Sequence, residues 1–128
     1  MPEIPSSHAH LLDAAVATLA TLDPKGRPQM TALWFLAEDG KVRMSLNETR
    51  RKTVNLRHNP ACSVLIFEPG NLDRYVEIRG DARIDADPDY EFARRAGAKY
   101  GADLRSMDGP GESRVVVTVE PVSIHTWG

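Results

Sequence analysis

Turn signals cut this chain into runs of strand length. Asp23-Pro24 with Gly26, Asp39-Gly40 and Pro69-Gly70 each fall between segments rich in β-forming residues. The first such segment is "VATLATLD" (16–23). "PQMTALWFLA" (28–37) follows, and "KVRMSL" (41–46) alternates cleanly, with Val42, Met44 and Leu46 on one face and Lys41, Arg43 and Ser45 on the other. The three read as a meander. "ACSVLIFE" (61–68) is apolar on both faces, which predicts a central strand. "RYVEIRGDARID" (74–85) is a long strand whose interior Gly80 marks a bulge or a barrel corner. "RVVVTVE" and "VSIHTW" close the chain as a last strand interrupted at Pro121.

Helical signals are fewer. Ser6 or Ser7 caps a short helix through "HAHLLDAA", and a second helix ends at Asn59-Pro60. Asp87 as N-cap with Pro88 in the first helical position predicts a third through "DYEFARRAGAKYG", with Glu91 pairing to Arg94 and Arg95 on its exposed face. The glycine-rich "GADLRSMDGPGE" reads as a polar loop. Six or seven antiparallel strands with two or three small helices make a mainly β fold, a closed or partly closed barrel. At 128 residues, 1–128 is one domain.

Composition narrows the partners. A net charge of −2 with 27% charged residues excludes a surface devoted to nucleic acid or anionic membrane. The opening "MPEIPSSHAHLL" has neither the basic region nor the apolar run of a signal peptide, and no segment is long enough to span a membrane, so the expected location is the cytoplasm. Cys62 is the single cysteine; lying in an apolar run, it reads as a buried inert thiol rather than a nucleophile. His8 and His10 form an HxH pair with no third ligand, so no metal site is expected; His58 and His125 read as structural or surface groups. No nucleophile elbow or Ser-His-Asp arrangement is present.

One stretch stands apart. In "SLNETRRKTVNLRHNP" (45–60) three cations, Arg50, Arg51 and Lys52, follow one another where a strand hands over to a helix capped by Asn47 or Thr49. Cations there oppose the helix macrodipole. A phosphate would reverse the sign, collecting backbone N–H groups, two guanidinium forks and an ammonium at once. The alternative is a solvated charged face, offset by Glu48.

With its neighbours in view, this pattern resembles the split β-barrel flavoproteins related to pyridoxamine 5′-phosphate oxidase, and within them the branch that uses the deazaflavin coenzyme F420. The resemblance rests on "GRP" leading a strand, "MSLNETRRKTVNLRHNPACSVLIFE", "DRYVEIRGDARI" and "RVVVTVEPVSIHTW", nearly the whole chain. It implies an FMN-binding-like split barrel, a homodimer and a cofactor held between the subunits. By the same resemblance Arg51 and Lys52 grip the cofactor phosphate, Ser45 stands beside it, and Thr49 and Arg50 assist. Gln29, Thr31 and Leu33 lie along the ring, Met44 and Asn55 complete the cofactor set, and Tyr75 reaches the cofactor from the partner subunit. Two departures separate the chain from the FMN oxidases: the arginine and, five residues on, the lysine of their second strand are here Thr31 and Leu36. The cofactor implied is therefore F420, with FMN as the alternative, and Arg57 is a further cation for the acidic F420 tail.

The expected activity is hydride transfer from reduced F420 to an electron-poor small molecule, a reaction the cofactor carries without an acid–base dyad. Trp34 and Tyr75 are candidates to wall the substrate space, Trp34 being equally open to plain core packing. No catalytic side chain is assigned. An FMN-dependent oxidoreductase and a non-catalytic cofactor-binding dimer are the competing readings.

Overall fold

The computed structural model describes residues 2–128. A 3-10 helix, Ala9–Asp13, leads into β1 (Ala17–Leu22), β2 (Pro28–Leu33), β3 (Leu36–Glu38) and β4 (Lys41–Asn47). Helix α1 (Arg51–His58) then precedes β5 (Ala61–Glu68) and β6 (Asn71–Ala86). Helix α2 (Glu91–Ala98), a second 3-10 turn (Leu104–Met107) and β7 (Arg114–Trp127) complete the chain. All seven strands pair antiparallel in one sheet, in the order β2-β1-β5-β6-β7-β4-β3.

That order replaces the expected three-strand meander. β1 and β2 form a hairpin at one edge, and β3 and β4 form another at the opposite edge, closed by Asp39 and Gly40 at positive φ (54° and 74°), the backbone of a tight hairpin turn. "PQMTALWFLA" is thus two strands, broken at Trp34 and Phe35 because Phe35 turns into the core, where it is 1% exposed. Two residues span at most about 7 Å of extended chain. The two edges of the sheet must therefore meet at that link, and the sheet curls into a half-barrel. Away from the link the edges part: β3 covers only Lys41–Arg43 of β4, so Met44–Asn47 and the whole outer edge of β2 have no strand beside them. A slot runs between these edges.

Leu11, Leu19, Phe35, Met44, Leu56, Val64, Ile66, Val76 and Val117 fill the inside of the curl. The alternation of β4 is as expected, Val42, Met44 and Leu46 facing in. β5 lies third in the sheet with burial alternating along it. A smaller cluster (Phe92, Ala93, Ala96, Leu104, Val116) seats α2 on the outer face of β7, which is why β7 is buried on both faces through Thr118.

Gly80 sits at a bulge. Arg79 pairs with Ser123 and Gly80 with Pro121, leaving Val122 as the extra residue. β7 consequently runs through Pro121 without interruption, since a proline at a bulge need not donate to the ladder. A Cβ on Gly80 would overlap the carbonyl oxygen of Glu120, a backbone atom with little room to move. Gly80→Ala is expected to destabilise the fold by about 2–3 kcal/mol, the scale of an overpacked core; an unchanged denaturation midpoint would refute the close approach.

Three helix starts differ from expectation. Neither Ser6 nor Ser7 caps the first turn, which begins after His8; Ser7 instead hydrogen-bonds the His8 ring. α1 takes Arg50 as N-cap with no side-chain bond, because Asn47 caps the preceding turn, accepting from the Thr49 N–H at 2.9 Å. α2 begins at Glu91, not Pro88: Tyr90 adopts a left-handed conformation, and Asp87 reaches over it to accept from the N–H groups of Phe92 and Ala93. Arg95 pairs with Glu91 as expected, while Arg94 bonds the Asp89 carbonyl. The "GADLRSMDGPGE" loop is pinned by Leu104, which is buried, and by Asp108 and Glu112.

Candidate functional site

β4 delivers the chain to the mouth of the slot, and Asn47 turns it there. Its Oδ1 lies 2.9 Å from the Thr49 N–H and 2.7 Å from the Thr49 hydroxyl, and its backbone oxygen accepts from the buried Thr53 hydroxyl at 2.9 Å. The turn so formed aims Arg50, Arg51 and Lys52 out of the start of α1, where the first backbone N–H groups have no helical partner. Among the described residues none of the ion pairs includes any of the three. Glu48, the neighbour expected to offset them, is engaged by Arg57 at 2.6 Å and by Ser113. Burial, and then the charge of Arg50, push the Lys52 ammonium below its ordinary pKa. An anion here would relieve both effects.

Behind the corner, α1 meets the β1–β2 hairpin through a buried polar seam. Asn55 Nδ2 donates to Thr21 Oγ1 at 3.0 Å and lies 3.3 Å from Gln29 Oε1, which also accepts from the Thr21 hydroxyl at 3.2 Å. Among the described residues two buried side-chain atoms lack any partner, Asn55 Oδ1 and Thr31 Oγ1. Orphaned buried polar atoms are costly and call for an occupant.

The outer edge of β2 supplies more donors. The Asp23 N–H bonds the Arg27 carbonyl, so by the antiparallel alternation Gln29, Thr31 and Leu33 exchange bonds with β1. The main-chain groups of Met30 and Ala32 are then the ones turned to the slot.

The residues expected in the site divide accordingly. Gln29 and Asn55 meet across the seam between α1 and the hairpin, Thr31 lies two residues from Gln29 on the same face of β2, and Arg50, Arg51 and Lys52 open α1. Leu33 packs against the core. Ser45 lies on β4 next to Arg114, its hydroxyl 3.4 Å from Nη1. The Met44 side chain is fully buried in the core, as the strand alternation requires, which leaves its main chain for any contact across the slot. Arg57 is exposed and pairs with Glu48 at 2.6 Å. Trp34 is not core packing; it is 41% exposed and stacked on Tyr100. Tyr75 lies at the far end of the sheet, edge-on to Phe67 at 5.7 Å and opposite Trp127.

Sequence reading missed the framework of the corner. Arg114 Nε donates to Asp108 at 2.9 Å, both nearly buried, and Asn47 Nδ2 donates to Asp108 (2.9 Å) and Glu112 (3.1 Å). No local signal could have found the two Asn47 bonds, which join residues 61 and 65 positions apart, and the Arg114–Asp108 pair bridges the six positions between the loop and β7. No group of three His, Cys, Asp or Glu side chains among the described residues can hold a metal. His8 is buried against the Trp127 carbonyl and His10 pairs with Glu68. Burial raises the Cys62 thiol to about 12, so it is unreactive at neutral pH. Two concavities, of about 590 and 500 Å³, lie beside α2 and at Gly80, away from the corner.

A mainly β half-barrel of seven antiparallel strands, with a cationic helix start beside its open edges, has the architecture of the flavin-binding split barrels, a class of oxidoreductases. The chain belongs to the pyridoxamine 5′-phosphate oxidase family, whose family model matches residues 6–128. Among solved structures it is similar to an F420 reductase, at 30% identity and a TM-score of 0.83, over 95% of this chain and 98% of that one. A conserved hypothetical protein from Mycobacterium tuberculosis is similar at 28% identity and 0.76, over 93% and 81%. A heme binding protein from Mycobacterium smegmatis shares the fold at 22% identity and 0.74, over 98% of this chain and 55% of that one. No curated protein matches. Among the described residues no helix is long and apolar enough to cross a membrane.

Proposed function

We propose that this protein is a homodimeric oxidoreductase that binds coenzyme F420 and reduces an electron-poor small organic molecule. The observation that carries the reading is the corner itself: three adjacent cations at a helix start, with no described ion pair among them. Arg51 and Lys52 hold the phosphate, together with the open N–H groups of α1, and Arg50, Thr49 and Ser45 flank it. The ring lies along β2, where Thr31 Oγ1 and Asn55 Oδ1 await polar partners and the main chain of Met30 and Ala32 supplies others. These donors and acceptors fit a phosphorylated tricyclic ring. When bound and reduced, the deazaflavin supplies the hydride; the protein orients it and excludes water.

Two features favour F420 over FMN. Leu36, where the FMN oxidases carry a lysine, packs against the cluster under α2, so a lysine there would be drawn away from the slot. Thr31 replaces their arginine with a short hydroxyl. The similarity to an F420 reductase points the same way.

Exposure supports the dimer. Met30, Leu72, Val122 and Trp127 are each more than 60% exposed, large apolar side chains that a second subunit would cover. Tyr75, in the patch with Phe67 and Trp127, reaches the cofactor of the partner subunit in this arrangement. The test is a fluorescence titration with F420 beside FMN, combined with light scattering. F420 is expected to bind at least about tenfold more tightly, an advantage of roughly 1.4 kcal/mol, to a dimer. Tighter FMN binding transfers the site to a flavin enzyme, and binding of neither overturns the reading.

A further inference from the structure

The slot has a floor as well as a mouth. β2 runs from Gln29, which touches α1, to the link at Trp34, five residues or about 17 Å further on. At that floor the Trp34 indole lies 4.2 Å from the Tyr100 ring with the planes 5° apart. One indole face is covered by Tyr100, and with 41% of the residue exposed the other has no aromatic partner.

Tyr100 is itself immobilised. Its hydroxyl accepts from the Phe35 N–H at 3.0 Å and donates to the Ala15 carbonyl at 2.7 Å. Beside it Lys99 Nζ donates to the carbonyls of Ala14 (2.6 Å) and Phe35 (2.9 Å) and sits over the Phe35 ring at 3.9 Å. Lys99 and Tyr100, just beyond α2, thus hold the N–H and the carbonyl of Phe35 in the two-residue link on which Trp34 stands, and tie it to Ala14 and Ala15. A tryptophan in a link between strands would otherwise turn freely, at an entropic cost to anything that stacked on it. Core packing does not explain the arrangement, because Phe35 already fills the core there.

We propose that Trp34, backed by Tyr100, is a stacking subsite for a planar, electron-poor conjugated ligand at the floor of the slot, with Tyr100 as its positioning residue. The proposal deepens the oxidoreductase reading and rests on it for what lies alongside: the ring on β2 occupies the stretch between corner and floor. Two stacked electron-rich rings present a π-donor face, which favours an electron-poor partner in offset stacking. A saturated ligand of the same polarity would gain nothing from it.

The chain has two tryptophans, so in a Trp127→Phe background Trp34 is the single indole. Menadione is titrated against its fluorescence, with cyclohexane-1,4-dione as the saturated counterpart, and F420 is titrated separately on its own emission. Menadione is expected to quench Trp34 saturably and statically, and the dione not to quench it. Tyr100→Leu should weaken menadione about tenfold, the effect of losing one aromatic stack, while Tyr100→Phe, which keeps the ring, restores most of the affinity. F420 affinity should be unchanged in both. Purely collisional quenching, equal binding of the dione, or a Tyr100→Leu protein that folds and binds menadione normally overturns the proposal. If Tyr100→Leu does not fold, Trp34→Leu decides by calorimetry: retained saturable menadione binding overturns it. Failure of F420 to bind while Trp34 still quenches saturably sinks the F420 reading and leaves the subsite.

Discussion

Replacing Arg51 and Lys52 together by alanine is expected to lower F420 affinity at least about a hundredfold. Each charge-assisted bond to phosphate is worth roughly 1.5–3 kcal/mol, and the double variant removes two cations from one anion. The fold should survive, because neither side chain enters a described ion pair and α1 is anchored elsewhere, by Thr53, Asn55 and Leu56. Removing two like charges from a helix start should even stabilise the empty protein slightly. Circular dichroism and a fluorescence titration check both halves. Unchanged affinity in a folded double variant would remove the phosphate from this corner. The loss should also shrink at high salt, since part of the attraction is screened.

The second large effect lies beneath the corner. Asp108→Ala leaves Arg114 buried, with only Ser45 close to its guanidinium, and strips Asn47 of one acceptor. Breaking a buried pair from one side costs about 3–5 kcal/mol, enough to lower the melting temperature by roughly 10 °C or more in a domain of this size. A stabilised or unaffected variant would show that the pair is not what holds the loop to the turn. Restoring Arg114's environment by Asp108→Leu with Arg114→Met should recover much of the loss, because packed apolar groups often replace a buried pair at little cost. The pH dependence has a definite sign. Burial alone would raise the Asp108 carboxyl, but bonds from Arg114, Tyr90 and Asn47 outweigh it and hold the pKa below the ordinary value. The stabilisation is therefore complete above about pH 4, the unfolded carboxylate range, and is lost as pH falls through the lower folded value.

These two sites differ in how far sequence reveals them. The cationic corner is legible because it is local: three residues in a row, on a helix start bounded by Asn47 and Asn59-Pro60. The buried pair that supports it is not, since Asp108 lies in a glycine-rich stretch that reads as a loop and Arg114 opens a strand that shows no sign of turning back to it. Trp34 shows the same limit. Alternation places it loosely with Gln29 and Thr31, yet its neighbour Phe35 takes the core and Trp34 stacks on Tyr100, just beyond α2.

The amino-acid order alone determined where most strands lie, the irregularity at Gly80, the inward set of β4 and the cationic character of the corner, because turn residues, period-two burial and charge act over a few positions. Which strands become neighbours was decided only in three dimensions. The meander expected of the first three strands fails because Phe35 is buried across the sheet, drawing β3 to the opposite edge and opening the slot. Helix starts moved for a related reason: Asp87 caps α2 across an intervening left-handed Tyr90, a geometry that depends on α2 docking against β7.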